Sequence, residues 1–219
     1  MNTKLIIHIV ISLISLSGLI VYYYAFLLGY KKHNSQLKKQ SKLPEKLYFM
    51  STYPALIWYV LPFIEQPRMH GIYDWLNGEF VFFNVLYIPV SFLLFVYFFG
   101  IWGKKSVSQN IEATKSKLLT EGIYARVQHP MIIGDILGHF SLVLLTGGIY
   151  TCILFPIYVF IDLFMIKIQV KYSLEPYYKS ELIVYRKKTP VLLDQKLLFI
   201  VLFMALLVIC NFLNYTKII

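Results

Sequence analysis

Residues 131–168 read MIIGDILGHFSLVLLTGGIYTCILFPIYVFIDLFMIKI. Two apolar runs, 131–145 and 149–168, are separated only by Thr146-Gly147-Gly148. About 20 apolar residues cross a bilayer as a helix, and inside lipid every backbone polar group must find a partner within its own helix or a closed barrel. The two runs therefore read as consecutive membrane helices. The turn between them leaves no room for a loop, so a tight antiparallel hairpin is expected.

Four further runs share this character: 5–28, 47–64, 80–102 and 197–215. The expected fold is all-α, a polytopic membrane helix bundle of about six transmembrane helices whose fourth and fifth form the hairpin. Composition agrees. The chain is 58% hydrophobic and 15% charged, whereas soluble domains carry about 25% charge. The first apolar run reaches residue 30, too long for the core of a secretory signal, and should stay as a membrane helix. Cys152 and Cys210 lie inside apolar runs with no metal-type spacing and read as packing residues. Pro54, Pro62 and Pro89 are expected to kink helices. His8 and His70 have no neighbouring constellation in the sequence.

The net charge of +10 would point to nucleic acid in a soluble protein. Its distribution gives another reading, in which nucleic acid is not a partner. Segment 31–46 holds six lysines, 103–128 holds five basic residues and 167–196 holds seven, leaving only Lys4, Arg68 and Lys217 of the 21. Basic residues collect in cytoplasmic loops. Six helices with both termini on the non-cytoplasmic side satisfy the pattern, and the compact form suggests a bacterial inner membrane. Segment 65–79 (EQPRMHGIYDWLNGE) then becomes a compact outer loop.

The chemistry is expected in 101–190, within which LLTEGIYARVQHPMIIG (118–134) runs from a polar loop into the fourth helix. Pro130 suits the first helical turn, where its missing N–H costs nothing. His129 stands just before it, and helix-start N–H groups beside His129 and Tyr124 could hold an anionic group. This run resembles the isoprenylcysteine carboxyl methyltransferase and phospholipid methyltransferase group. Members carry a Gly-x-Tyr-x-x-x-Arg-His-Pro-x-Tyr-x-Gly run, a helical hairpin, an acidic pair, and a Tyr-rich basic segment ending in Pro. Here the last corresponds to 177–190, YYKSELIVYRKKTP.

The resemblance implies an S-adenosylmethionine-dependent methyltransferase whose cytosolic loops fold over the cofactor. Its partners would be the lipid bilayer and a lipidic or membrane-associated acceptor that enters from the side. Gly122, Tyr124, His129, Pro130 and Gly134 match family positions around the cofactor, and Tyr185 and Pro190 match the tail. The chain departs from the pattern at Gln128, where Arg is usual, and at Ile133, where Tyr is usual. The acidic pair aligns on Val170 and Lys171, with Glu175 about a turn away, and Lys188 replaces an Arg found in some members. The expected organisation is N-terminal helices over 1–101, a methyltransferase-like core over 102–193, and a C-terminal helix over 194–219.

A second resemblance is to the NnrU-like membrane proteins, through His129-Pro130-Met131, Gly134 and His139. It implies a non-methylating factor or transporter associated with respiration. A sterol-reductase-like activity would share the His-Pro loop, but no nicotinamide signature accompanies it. Asp135 and His139, four apart on the fourth helix, and Asp162 on the fifth form a possible polar cluster. At membrane depth such groups serve a proton relay, a metal or a substrate patch, or else they fix the hairpin. No metal is expected from the spacing.

Overall fold

A computed structural model describes residues 3–34, 43–79, 84–112 and 118–216. The lysine-rich stretch 35–42, Lys115, Lys117, Lys217 and the first residues of the third apolar run, 80–83, lie outside the described residues. Those described are helical or loop, apart from one isolated bridge between Arg68 and Gly148. Four helical stretches are long and apolar enough to cross a membrane: Thr3–Leu28, Asn84–Ser106, Ile149–Tyr172 and Gln195–Tyr215. Only 22% to 28% of the core of each is buried. Large apolar side chains such as Leu13, Phe92, Phe160 and Phe199 point outward instead. Continuous apolar surface on this scale marks contact with lipid or another apolar phase.

The chain divides into two compact units. The first comprises Met1–Gln66 and Leu154–Leu182. In it α1 (Thr3–Asn34) and α2 (Leu43–Val60) share a core of Leu19, Trp58 and Leu61 with Tyr158, which belongs to α7 (Ile149–Gln169). Pro54 sits inside a continuous α2, while Pro62 falls in the 3-10 turn Leu61–Phe63 that ends it. The Gln66 side-chain amide donates to the Leu61 carbonyl at 3.0 Å, supplying a partner that the ended helix lacks.

The second unit comprises Pro67–Ile153 and Ile183–Ile219. Here α4 (Asn84–Phe95) passes through a π-helical stretch, Val96–Trp102, into α5 (Gly103–Glu112). Beside it runs α6 (Pro130–Thr146), with α9 (Gln195–Tyr215) completing the core. Tyr87, Phe98, Trp102, Leu137 and Met204 are all at most 4% exposed. Its 17 residues give α6 a length of about 26 Å. That is a little short of the ~30 Å hydrocarbon layer, and most of its positions are buried in protein rather than presented to lipid.

Gly147 ends α6 in the left-handed conformation, φ 65°, with its N–H on the Val143 and Leu144 carbonyls. Any side chain there would also collide with the Met69 backbone. The loop residues Pro67–Met69 close over this end. Met69 N–H donates to the Gly147 carbonyl at 2.8 Å, Ile149 N–H to Pro67 at 3.0 Å, and the Arg68 guanidinium to Thr146 at 3.1 Å. The expected outer loop, 65–79, is therefore structured, and it contains a one-turn helix, α3 (Ile72–Leu76). His70 gains partners that its sequence neighbourhood does not suggest. Its Nδ1 lies 3.0 Å from Asp74 Oδ2, which also accepts from the Asn84 amide at 3.0 Å, while the Asn211 amide donates to the His70 carbonyl at 2.7 Å.

Candidate functional site

The opposite end of α6 gathers the motif residues. Glu121 is extended and Gly122 has φ 61°, a left-handed value that glycine adopts without penalty. The chain then makes one 3-10 turn, Gly122–Ala125, which buries Ile123 and leaves Tyr124 half-buried. Val127, Gln128, His129 and Pro130 follow, all buried. Pro130 opens α6, and its carbonyl accepts from the Trp102 indole N–H at 2.7 Å.

The tail meets this loop directly. α8 (Glu175–Lys188) ends near Thr189 and Pro190. From it the Tyr185 hydroxyl donates to the Tyr124 carbonyl at 2.6 Å. Gln128 fastens the next residues: its backbone N–H donates to Pro190 at 3.0 Å and its side-chain amide to Thr189 at 2.5 Å. Two segments some sixty residues apart in sequence are thus joined by several hydrogen bonds, the Tyr185 hydroxyl also reaching the Val127 carbonyl at 3.5 Å.

A charged pair stands at the edge of this junction. Asp194 caps α9 by accepting from the Leu197 N–H at 2.8 Å. The same carboxylate accepts from Arg126 through Nη2 at 2.6 Å and Nε at 2.8 Å, a two-pronged contact. The guanidinium also lies 5.0 Å from the Trp102 ring centre. Partial burial works against the Asp194 charge. The Leu197 N–H, Arg126 and the Lys196 N–H outweigh it and hold the carboxyl below its ordinary value. Burial pushes the Tyr124 and Tyr185 phenols up to about 12, with their mutual proximity adding to the shift at Tyr185. Both are neutral at physiological pH and serve as hydrogen-bonding or stacking groups, not as bases.

Of the residues singled out in the sequence, Gly122, Tyr124, His129, Pro130 and Tyr185 belong to this junction. Gly134 lies one turn deeper in α6. A Cβ there would stand 2.9 Å from the Trp102 ring and 3.3 Å from the Phe98 carbonyl, so the residue permits helix contact. Asp135 and His139 lie on α6 in the second unit, and Asp162 lies in the first, where the Tyr23 hydroxyl donates to its carboxylate. Among the described residues no three His, Cys, Asp or Glu side chains group closely enough to hold a metal ion.

Sequence reading missed Trp102, Arg126, Thr189 and Asp194 as site residues. Asp194 carried a signal, since an Asp directly before an apolar helical run is a helix-capping pattern. The others became visible only through contacts distant in sequence. Comparison with known proteins gives no match: no family model, no curated protein and no solved structure is similar to this chain.

Proposed function

We propose that the chain is an integral membrane methyltransferase that uses S-adenosylmethionine and acts on a lipidic or membrane-associated acceptor. The observation that carries this reading is the Tyr185–Tyr124 hydrogen bond, with Gln128 fastened to Thr189 and Pro190. The two segments of the methyltransferase-like pattern form one structure, as a shared cofactor site requires.

The donor set suits this cofactor. Its amino-acid end carries a carboxylate and an ammonium, and Arg126 and Asp194 offer one charge of each sign at a partly exposed position. Arg126 would take the carboxylate and Asp194 the ammonium, exchanging their mutual contact for the ligand. The face of Tyr124 is the nearest aromatic surface in the loop for a cationic sulfonium. When bound, the cofactor supplies a methyl group that a nucleophilic acceptor displaces in line. The chain's own part is to hold the two reactants together and exclude water, which makes the encounter effectively intramolecular. Lipid-facing helices around the junction would let an acceptor enter from the bilayer.

The finer topology belongs to the same reading: six spans, α6 and α7 as the hairpin, both termini on the non-cytoplasmic side, and a bacterial inner membrane. Two features support it. In the first unit α1 and α7 run in the same direction, as Ser15 faces Tyr158 and the later Tyr23 meets the later Asp162. Odd-numbered spans must do so. The basic residues Lys104, Lys105, Arg126, Arg186, Lys187 and Lys188 also belong to segments at the junction end.

One observation favours a second reading, a non-methylating NnrU-like protein. Gln128 stands where the methyltransferase pattern has Arg, and its amide is spent on the Thr189 carbonyl, so it offers a ligand no charge. Ligand-induced stabilisation separates the two. Saturating S-adenosylmethionine, at about 100 times its Kd, should stabilise the detergent-purified protein by about 2.7 kcal/mol. Labelled cofactor should bind the wild type and lose most of its affinity in Arg126→Ala and His129→Ala. A folded wild-type protein that shows neither stabilisation nor binding overturns the enzyme reading in favour of the second.

A further inference from the structure

The first unit buries a column of polar side chains in otherwise apolar surroundings, far from the loop–tail junction in sequence. On α1, His8, Ser12 and Ser15 are at most 3% exposed. Positions 8, 12, 15, 19 and 23 follow the three-and-four spacing that puts them on one helical face. The Ser12 hydroxyl lies 3.3 Å from His8 Nδ1. One turn further, Ser15 faces the Tyr158 hydroxyl of α7. Asp162, one turn beyond Tyr158, is 4% exposed and accepts from the Tyr23 hydroxyl. From His8 to Tyr23 the column covers 15 positions of α1, about 22 Å along the axis. Lys4, one turn before His8, pairs with Glu65 at 2.5 Å, and both are more than half exposed, so this end opens to the aqueous side. From α2 the column receives the Trp58 ring, stacked on Tyr158, with Leu61 completing the apolar wall.

We propose that this column, His8–Ser12–Ser15–Tyr158–Asp162–Tyr23, is a proton path through the first unit, with Asp162 as the proton-exchanging carboxyl. Two kinds of observation carry it beyond a contact that merely holds helices together. First, ionisable groups occur at both ends, and hydroxyls, which donate and accept at once, occupy the positions between them. An imidazole, a hydroxyl and a carboxyl can each take a proton on one side while giving one up on the other. Transfer then leaves every group as it began and needs only a proton gradient. Second, the Ser15 and Tyr158 hydroxyls approach each other where α1 meets α7, so the column passes from one helix to the next. Two such hydroxyls face to face suit a shared proton carrier such as a water. Ionisable groups at this depth mark ion or proton routes. The inference is independent of methyl transfer.

The test is proton flux through the full chain reconstituted in liposomes that enclose a pH-reporting dye, with an inside-negative potential set by potassium and valinomycin. Wild-type vesicles should acidify several-fold faster than protein-free vesicles. Asp162→Asn, which keeps an acceptor for Tyr23, and Tyr158→Phe, which removes a single oxygen, should both return the rate to the protein-free level. His8→Gln should slow it, and Asp135→Asn on α6 should leave it unchanged. Thermal melting of each variant checks that it is folded. Wild-type flux no faster than protein-free vesicles overturns the proposal, as does undiminished flux in folded Asp162→Asn or Tyr158→Phe.

Discussion

Tyr185 illustrates how one hydroxyl joins two distant segments. It is 7% exposed and donates to the Tyr124 carbonyl. Its replacement by Phe keeps the ring and deletes the hydrogen bond, a loss of about 1 kcal/mol. A protein of this size should then melt about 2–4 °C lower. The pH dependence has a definite sign. Burial favours the neutral phenol, so the folded-state pKa lies above the ordinary 10.0, near 12. The contribution is complete below pH 10.0 and disappears as pH rises through the folded value. Spectroscopic titration should show Tyr124 and Tyr185 ionising after the exposed tyrosines, and Tyr185→Phe should remove one late-titrating group. Asp194 works in the opposite direction. Its folded pKa lies below the ordinary 3.8, so its contribution is present above 3.8 and is lost as pH falls through the depressed value. Asp194→Ala removes a helix cap worth about 1 kcal/mol, together with an ion pair that is partly exposed and adds less than that. It should lower the melting temperature at neutral pH and flatten its decline as pH falls below the ordinary carboxylate value of 3.8.

The contact between α6 and the π-helical stretch depends on a missing side chain. Replacing Gly by Ala in an open helical position normally stabilises by up to about 1 kcal/mol. Gly100 has open space around it, so Gly100→Ala should be neutral or stabilising. At Gly134 the new Cβ meets the Trp102 ring at 2.9 Å, and that ring is held by its bond to the Pro130 carbonyl. Gly134→Ala should therefore destabilise by about 1–3 kcal/mol, and thermal melts of the two variants should diverge in sign. The elements themselves were legible in sequence because the bilayer selects on length and apolarity, both local properties. The runs 5–28, 149–168 and 197–215 correspond closely to helices. The loop motif was legible as a loop running into Pro130. The partners were not: Trp102, Asp194 and Thr189 reach it from other elements, and nothing in the run LLTEGIYARVQHP names them. The same holds for His70, whose Asp74 is local, whereas the Asn84 amide that bonds Asp74 and the Asn211 amide that bonds the His70 carbonyl arrive only when α4 and α9 are in place. Asp162 was legible as a costly membrane-depth charge, whereas its partner Tyr23 lies 139 residues away.

In the second unit the two ends of α6 have opposite characters, and this determines how the chain should lie in a membrane. One end carries the loop–tail junction with Arg126 and segments rich in Lys and Arg. The other is closed by the Pro67–Met69 strip, with Arg68 bound to the Thr146 carbonyl and lying 3.8 Å from the Tyr73 ring centre. Since about 26 Å of helix separates these ends, they should face opposite aqueous phases, with the basic end in the cytoplasm. Single cysteines placed after Cys152→Ser and Cys210→Ser provide the measurement. Asn77 and Lys187 are both exposed and suit substitution. A membrane-impermeant maleimide added to intact cells should label Asn77→Cys, whereas Lys187→Cys should react only after the membrane is opened. Equal labelling of both in intact cells would place the loop and the tail on one side. The six-span arrangement would then fail, although the Tyr124–Tyr185 junction, being a contact within one unit, would stand.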